Sequence, residues 1–260
     1  MAVIDAGSPL AVAVTGAMRA GDVPGLRQLL DAHPGLGSTR IRKIGEAAGT
    51  RSLLHVATDW PGHIPAGPEI IATLVAAGAD PGTRFVGAHS ETPLHWAASN
   101  DDVAALDALV AAGADIEATG GVIAGGTPLA DARGFAQWRA ARWLLEHGAR
   151  TTLQDAATLG LLDRVAALVE GRAHVEGRAH VEDSGEAPGR PDTDDIDAAF
   201  WGACHGGQRA TARYLFERGA NLDRVGYDDL TPLDVAIEAG AEDVARWLRG
   251  QGARRRAELA

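Results

Sequence analysis

The sequence has little cysteine, little lysine and few aromatic side chains. Cys204 is the single cysteine and Lys43 the single lysine among 260 residues, and aromatic residues make up 5%. One cysteine excludes an intramolecular disulfide and a zinc site built from several thiolates. No apolar run is long enough to cross a bilayer, and the N-terminus lacks the positive region of a signal peptide. These absences predict a cytoplasmic protein without a membrane partner.

The charge of the chain is acidic. Its formal net charge is −11 and its pI about 5.2. Nucleic-acid binding needs a basic surface that neutralises phosphates, so no nucleic-acid partner is predicted. A hydrophobic content of 46% excludes disorder of the whole chain. Abundant alanine, glycine and arginine beside a single lysine are typical of a GC-rich bacterial gene.

Two short motifs recur at a fixed spacing. The first is Thr-Pro-Leu and the second is Gly-Ala. They occur as the pairs Thr92 and Gly113, Thr127 and Gly148, and Thr231 and Gly252. In each pair the two residues are 21 positions apart, and the glycines at 78, 113 and 148 are 35 apart. A period of roughly 20–50 residues predicts stacked structural units rather than one globular core.

The segment TPLHWAA followed by LDALVAAGADIEA resembles the ankyrin repeat, and the resemblance covers nearly the whole chain. It implies an all-α solenoid of stacked helix–turn–helix units with projecting β-hairpin fingers. The predicted organisation is a single array over 1–260 with about seven repeats and one flexible insertion. The repeats are placed at 8–40, 48–82, 88–117, 123–150, 151–171, 194–223 and 227–254, and the insertion at 172–194.

Elementary helix chemistry agrees with the resemblance. A threonine can cap the first helix of each unit, and the proline after it fits the first turn. Leu94 and Ala97 are predicted to face inward, as are Leu106, Leu109 and Val110 of the following helix. Gly113 then stops that second helix, because a left-handed residue is cheapest as glycine.

Two repeats depart from the pattern. The second repeat has five extra residues between its helices, within 60–68, which proline and glycine mark as a loop. The fifth begins three residues after Gly148, which leaves no room for a finger. It runs into the tandem GRAHVE hexapeptides at 171–176 and 177–182. We interpret the duplication as slippage in a tolerant loop, and a weak His/Glu metal site is the alternative.

The predicted binding residues lie mostly at the ends of the first helices, which the resemblance places on a concave side with the fingers. They are Asp59, Trp60, His63, Trp96, Ser99, Asn100, Phe135, Trp201 and His205. Exposed aromatic and histidine side chains are common in binding surfaces. Two alternatives stay open: Trp60 could cover the five-residue insertion, and Trp201 could fill space left by the missing finger.

The histidines of the first helices have a structural and a chemical interpretation. His55 and His95 occupy the anchor position, where the family's histidine bonds the cap residue and nearby backbone. His55 and Asp59 are four residues apart, so they could instead form an acid–base pair or two ligands of a metal. The sequence lacks GxSxG, HExxH, phosphate-loop and EF-hand signatures. No catalytic residue, cofactor or metal is predicted.

Two functions follow as hypotheses. The first is a monomeric module that binds a protein partner through the concave groove and fingers. The second is a small-molecule binder or enzyme with a pocket lined by Trp, His and Asp. A flat open surface would favour the first hypothesis, and a closed cavity that holds several predicted residues would favour the second.

Overall fold

The computed structural model describes residues 2–43, 49–171 and 191–259. The chain divides into two compact units, Met1–Arg150 (unit 1) and Thr151–Ala260 (unit 2). Of the two GRAHVE copies only Gly171 is among the described residues. The rest of both copies, with the metal site proposed as an alternative there, lies outside them, as does most of the predicted insertion.

Both units are built from short consecutive helices. The described residues of unit 1 contain α1 (Pro9–Ala20), α2 (Val23–Ala32), α3 (Leu53–Ala57), α4 (Gly67–Ala76), α5 (Pro93–Ser99), α6 (Val103–Ala111), α7 (Pro128–Gly134) and α8 (Trp138–Glu146). Those of unit 2 contain α9 (Leu153–Thr158), α10 (Leu162–Val169), α11 (Thr193–His205), α12 (Arg209–Phe216), α13 (Pro232–Glu238) and α14 (Glu242–Gly250). Consecutive helices pack as pairs, and each pair packs on the next within its unit. The predicted insertion is too long at its end, because α11 already begins at Thr193.

In the described part of the chain five first helices start with a reciprocal cap, namely α3, α5, α9, α11 and α13. The predicted threonine cap is absent from α7, where Thr127 makes no side-chain cap hydrogen bond because the residue three positions on is an alanine, which has no acceptor. In α5 the Thr92 backbone N–H donates to Nδ1 of His95 over 3.1 Å, and the Thr92 hydroxyl lies 2.9 Å from the same nitrogen. In α13 the Thr231 hydroxyl donates to the carboxylate of Asp234 over 2.8 Å. The cap therefore needs an acceptor three residues after the threonine, and either an imidazole or a carboxylate supplies it.

The second helix of every pair after the first stops at a left-handed glycine, as predicted, whereas α2 is followed by His33. Gly113 has φ 93° after α6, and Gly148 has φ 91° after α8.

Leu94, Leu106 and Leu109 are fully buried, as expected. Val110 was expected in the same buried stripe but is only half-buried, because it lies at the edge of the face of α6 that Leu106 and Leu109 occupy. Trp143 of α8 is only half-buried, and its ring stacks on the exposed His147 at 3.7 Å.

A small sheet lies in unit 1, where the sequence predicted no strand pairing beyond the fingers. Strand β1 (Val3–Asp5) pairs in parallel with β2 (Arg40–Lys43), and β2 pairs antiparallel with β3 (Gly49–Ser52). The β2–β3 pair occupies the place of the first finger, directly before α3. In the described residues the later fingers are tight turns closed by one or two backbone hydrogen bonds, such as Phe85 N–H to Glu91 O at 2.7 Å.

No helix within the described part of the chain is both long and apolar enough to span a membrane.

Candidate functional site

The loop between α3 and α4 presents an exposed tryptophan. The Trp60 side chain is 81% exposed, so it does not cover the five-residue insertion. Its neighbour Asp59 forms an ion pair with Arg51 of β3 and accepts the Trp60 backbone N–H over 3.1 Å. The peptide bond between Trp60 and Pro61 is cis. The ion pair and the hydrogen bond of Asp59 fix the N-terminal side of the segment that displays the indole.

The other side of this loop is fixed by the next helix pair. The His63 backbone N–H donates to Oδ2 of Asp102 over 2.7 Å, and His63 Nε2 lies 3.0 Å from the Asn100 carbonyl. The Asn100 amide returns a hydrogen bond to the carbonyl of Thr58 over 2.8 Å. Since Asp102 also caps α6, its carboxylate connects the loop to the start of that helix. Asp59, Trp60, His63 and Asn100 thus belong to one hydrogen-bonded region.

Two further predicted residues lie at the C-terminal ends of neighbouring first helices. The Ser99 hydroxyl donates to the His95 carbonyl over 2.9 Å and is half-buried. Phe135 follows α7 and is 42% exposed. The Ser99 hydroxyl is therefore bonded within its own helix, whereas the Phe135 side chain offers apolar surface to solvent.

Trp96 belongs to an internal aromatic cluster. Its ring lies 4.9 Å from His55 in an edge-on arrangement and 5.6 Å from Phe85 of the adjacent finger. Trp96 is half-buried, so it supports the finger as well as reaching the surface. The cluster fixes where the finger that carries Phe85 lies over α3 and α5.

The proposed pairing of His55 with Asp59 does not form. His55 is fully buried, with Nδ1 2.8 Å from the Ser52 hydroxyl and Nε2 3.1 Å from the Glu91 carbonyl. The Asp59 carboxylate is bonded to Arg51 instead. Asp59 lies beyond α3, which ends at Ala57, so the helical spacing that suggested the pair does not apply. His55 is a structural residue, and His95 has the same role with Gly126 O as its distal partner at 3.1 Å.

A buried carboxylate holds the finger before α7. Asp131 is fully buried and accepts the backbone N–H groups of Ile123 at 2.9 Å and Val122 at 3.3 Å. Burial raises the pKa of Asp131 to about 6, and the negative charge of nearby Glu91 acts in the same direction. No sequence pattern indicated this contact, because the equivalent position in the preceding repeat is Trp96, which has no carboxylate.

Unit 2 contains an aromatic cavity of about 260 Å³. Trp201 and Tyr227 line it, together with Gln154 and Arg224. The Trp201 indole N–H donates to the Leu230 carbonyl over 2.9 Å, and Tyr227 meets the ring edge-on at 5.8 Å. Gln154, Arg224 and Tyr227 supply the polar side-chain groups of its lining. This arrangement fits a single apolar or aromatic group better than an extended small molecule.

His205 is less accessible than predicted. It is half-buried rather than exposed, and its ring stacks on Trp201 at 5.6 Å with 22° between the planes. Cys204 beside it is fully buried, and burial raises the pKa of its thiol. A Cys–His pair for nucleophilic chemistry is therefore absent at this position.

Sequence reasoning missed the exposed finger residues. Val86, Val122 and Val225 all carry exposed side chains in fingers, and each precedes the next anchor threonine by five or six positions. That recurrence was visible in the sequence as a possible signal. Among the described residues, no three His, Cys, Asp or Glu side chains lie close enough to share a metal ion.

Comparison with known families gives two matches. The family model described as "Ankyrin repeats (3 copies)" matches residues 54–155, and the model described as "Ankyrin repeats (many copies)" matches residues 201–249. A comparison with curated protein sequences found no significant match. Ankyrin repeats are in general protein–protein interaction modules. The two matches span more than half of the chain and coincide with its helix pairs, and the protein belongs to the ankyrin-repeat family.

Proposed function

We propose that the chain binds a protein partner through the first-helix ends and fingers of unit 1, with Trp60 as the main anchor. The observation that carries the proposal is the 81% exposure of this indole on a segment bonded at both ends. Covering such a side chain removes on the order of 150 Å² of apolar surface from water, which is about 4 kcal/mol before the costs of association. A residue of this kind is the usual centre of a binding hot spot.

The fixed loop adds to this argument. Binding orders mobile groups at an entropic cost, and a segment that is already held avoids part of that cost. Asp59, His63 and Asn100 act here as supports of the loop, through Arg51 and Asp102. They are proposed to set the direction of Trp60 rather than to contribute most of the contact energy.

Further apolar surface lies on the same unit. Phe135 is exposed at the end of α7, and the finger valines Val86 and Val122 are exposed as well. Single exposed apolar residues need no explanation, but Val86 and Val122 lie in the fingers of successive repeats, so the exposure recurs. They would extend the contact that Trp60 begins.

The second hypothesis, small-molecule binding, is disfavoured by the cavity in unit 2. Its volume of about 260 Å³ is below the roughly 300–1,000 Å³ usual for such ligands. We propose instead that the cavity takes one side chain of a protein partner. That side chain would contact Trp201, which is only 7% exposed in the free chain. Titration of the wild-type chain with small aromatic compounds, followed by the indole resonance of Trp201, tests small-molecule binding separately.

We also propose that the protein acts as a monomer in the cytoplasm and does not bind nucleic acid. A single cysteine suits a reducing compartment, where structural disulfides are rare. The net charge of −11 disfavours contact with phosphates. Sedimentation of the purified chain would test the monomer directly.

The main experiment compares proteins retained by the wild-type chain and by Trp60→Ala from an extract of cells that express it naturally. Trp143→Ala is the matched control, since it removes a half-buried indole from a second helix of the same unit. We expect Trp60→Ala to lose specifically retained proteins and to change the free energy of unfolding by less than about 0.5 kcal/mol. Unchanged retention by Trp60→Ala, or equal loss in both variants, would contradict the proposal.

A further inference from the structure

The charges of unit 2 are separated between its two helix layers. The first helices α9, α11 and α13 and the finger at 221–231 carry nine acidic residues and one arginine. The second helices α10, α12 and α14 carry five arginines and three acidic residues. In a chain of net charge −11 this second-helix layer has a net positive charge, which favours a partner with acidic groups.

A groove of about 790 Å³ runs between α12 and α14 in this layer. Arg209 and Arg213 of α12 line it, with Phe216 at the end of that helix and Trp247 of α14. Both arginines are exposed, whereas Phe216 and Trp247 are half-buried. The groove therefore has a partly apolar floor and a cationic edge.

The aromatic floor is fixed in place. Trp247 packs edge-on against Phe216 at 5.9 Å and against the fully buried Phe200 at 6.4 Å. Tyr214, also at the groove, lies under the guanidinium of Arg218 at 3.4 Å. Since these rings are held by neighbours, a ligand in the groove would meet a preformed surface.

One arginine of the edge has only a weak internal partner. Arg213 Nε lies 2.8 Å from Glu217 Oε1 within one helix, and both side chains are mostly exposed, at 70% and 51%. Exposed pairs of this kind contribute little net free energy, so a carboxylate from a ligand can replace Glu217. The Arg–aromatic pair also recurs: Arg213-Tyr214 and Arg246-Trp247 occupy the same register, 33 residues apart.

We propose that this groove is a second docking surface, which takes an acidic protein segment with apolar side chains. Carboxylates of the segment would pair with Arg209 and Arg213, and its apolar side chains would cover Trp247 and Phe216. Planar guanidinium groups suit carboxylates because they form two parallel hydrogen bonds. The groove lies on helices that take no part in the Trp60 surface, so either proposal can fail without the other.

The test uses the full chain and a short fluorescein-labelled peptide of alternating glutamate and leucine residues. We expect saturable binding, a shift of the Trp247 indole resonance assigned through Trp247→Phe, and an unchanged Trp60 resonance. The double variant Arg209→Glu/Arg213→Glu should weaken binding about tenfold or more. Glu217→Gln should tighten binding, because it frees Arg213 from its internal partner, and a purely structural effect would not do so.

The matched control is Arg139→Glu/Arg142→Glu, which makes the same charge change on the second helix α8 of unit 1. Equal weakening by both double variants would reduce the effect to general charge attraction and overturn the proposal. Absence of peptide binding, equal binding of a lysine–leucine peptide, or tighter binding of oligothymidine than of the acidic peptide would overturn it as well. Circular dichroism of each variant establishes that the helices are retained.

Discussion

Acidification from pH 7 to pH 5 is expected to destabilise unit 1 through its two anchor histidines. In both caps Nδ1 accepts a backbone N–H, from Ser52 to His55 and from Thr92 to His95. The distal Nε2 then donates to a carbonyl, which fixes the neutral form of each ring. Burial lowers the pKa of His55 to about 3 and that of His95 to about 4.

The magnitude follows from proton binding. An unfolded histidine has a pKa near 6.5, so at pH 5 each one binds a proton that the native state excludes. The histidine contribution is complete above pH 6.5 and is lost as the pH falls, which costs about 2 kcal/mol for each residue at pH 5. Asp131 acts in the opposite direction. Burial raises its pKa from 3.8 to about 6, so acidification from pH 7 to pH 5 increases the free energy of unfolding by about 1 kcal/mol. The net loss is about 3 kcal/mol.

Unit 2 should respond less over the same interval, because its last cap uses a carboxylate. Burial alone would raise the pKa of Asp234, but hydrogen bonds from Arg255, Arg256 and Thr231 together lower it to about 2. A depressed carboxyl pKa gives stability that is present above the unfolded value near 3.9 and lost only in stronger acid. The cap of α13 therefore stays intact at pH 5.

Urea unfolding of the full chain at pH 7 and pH 5, followed by tryptophan fluorescence, measures the effect. His95→Gln should lower stability at pH 7 but reduce the change between the two pH values by about 2 kcal/mol. His33→Gln, at an exposed position, is the control. The reasoning is refuted if unit 1 changes by less than about 1 kcal/mol, or if His95→Gln keeps the wild-type pH response.

Three other changes separate the forces in the fold. Asp131→Asn should remove the stabilisation that protonation of Asp131 provides on acidification. Between pH 7 and pH 5 in urea titrations, the free energy of unfolding of wild type should therefore rise by about 1 kcal/mol relative to that of the variant. Gly206→Ala should unfold at distinctly lower urea concentration, because its Cβ would overlap the Thr158 carbonyl oxygen. Gly16→Ala, in open space within α1, should instead gain about 0.5–1 kcal/mol of stability, and equal midpoints for the two variants would contradict this packing. The Cys204 thiol is fully buried and should react with a maleimide only at the rate of unfolding, so fast labelling of the native chain would show the packing to be wrong.

The features that could be predicted from the sequence are those that depend on neighbours along the chain. A threonine three residues before an acceptor and a glycine after the second helix are local signals, and the structure has the Thr92 cap and the left-handed Gly113 where they were expected. The loop after α3 followed in the same way from its prolines and glycines.

The features that could not be predicted depend on contacts between distant segments. Strand β1 is three residues long and pairs with a segment more than thirty positions away, which no local pattern encodes. Asp131 fixes a finger through backbone groups, and backbone donors have no sequence signature. The exposure of Trp60 and the half-burial of His205 likewise depend on which neighbour covers them, although the repeat pattern predicts both near the end of a first helix.

The loop that carries Trp60 has a consequence for how long the protein survives. Its C-terminal half is bonded to Asn100 and Asp102, so the indole keeps its position only while α5 and α6 are folded. A partner bound to Trp60 in this arrangement would raise the free energy of local opening between the two helix pairs by RT ln(1 + [L]/Kd). Proteases cleave chains in the opened state, so the abundance of the partner would set the degradation rate of the bound protein.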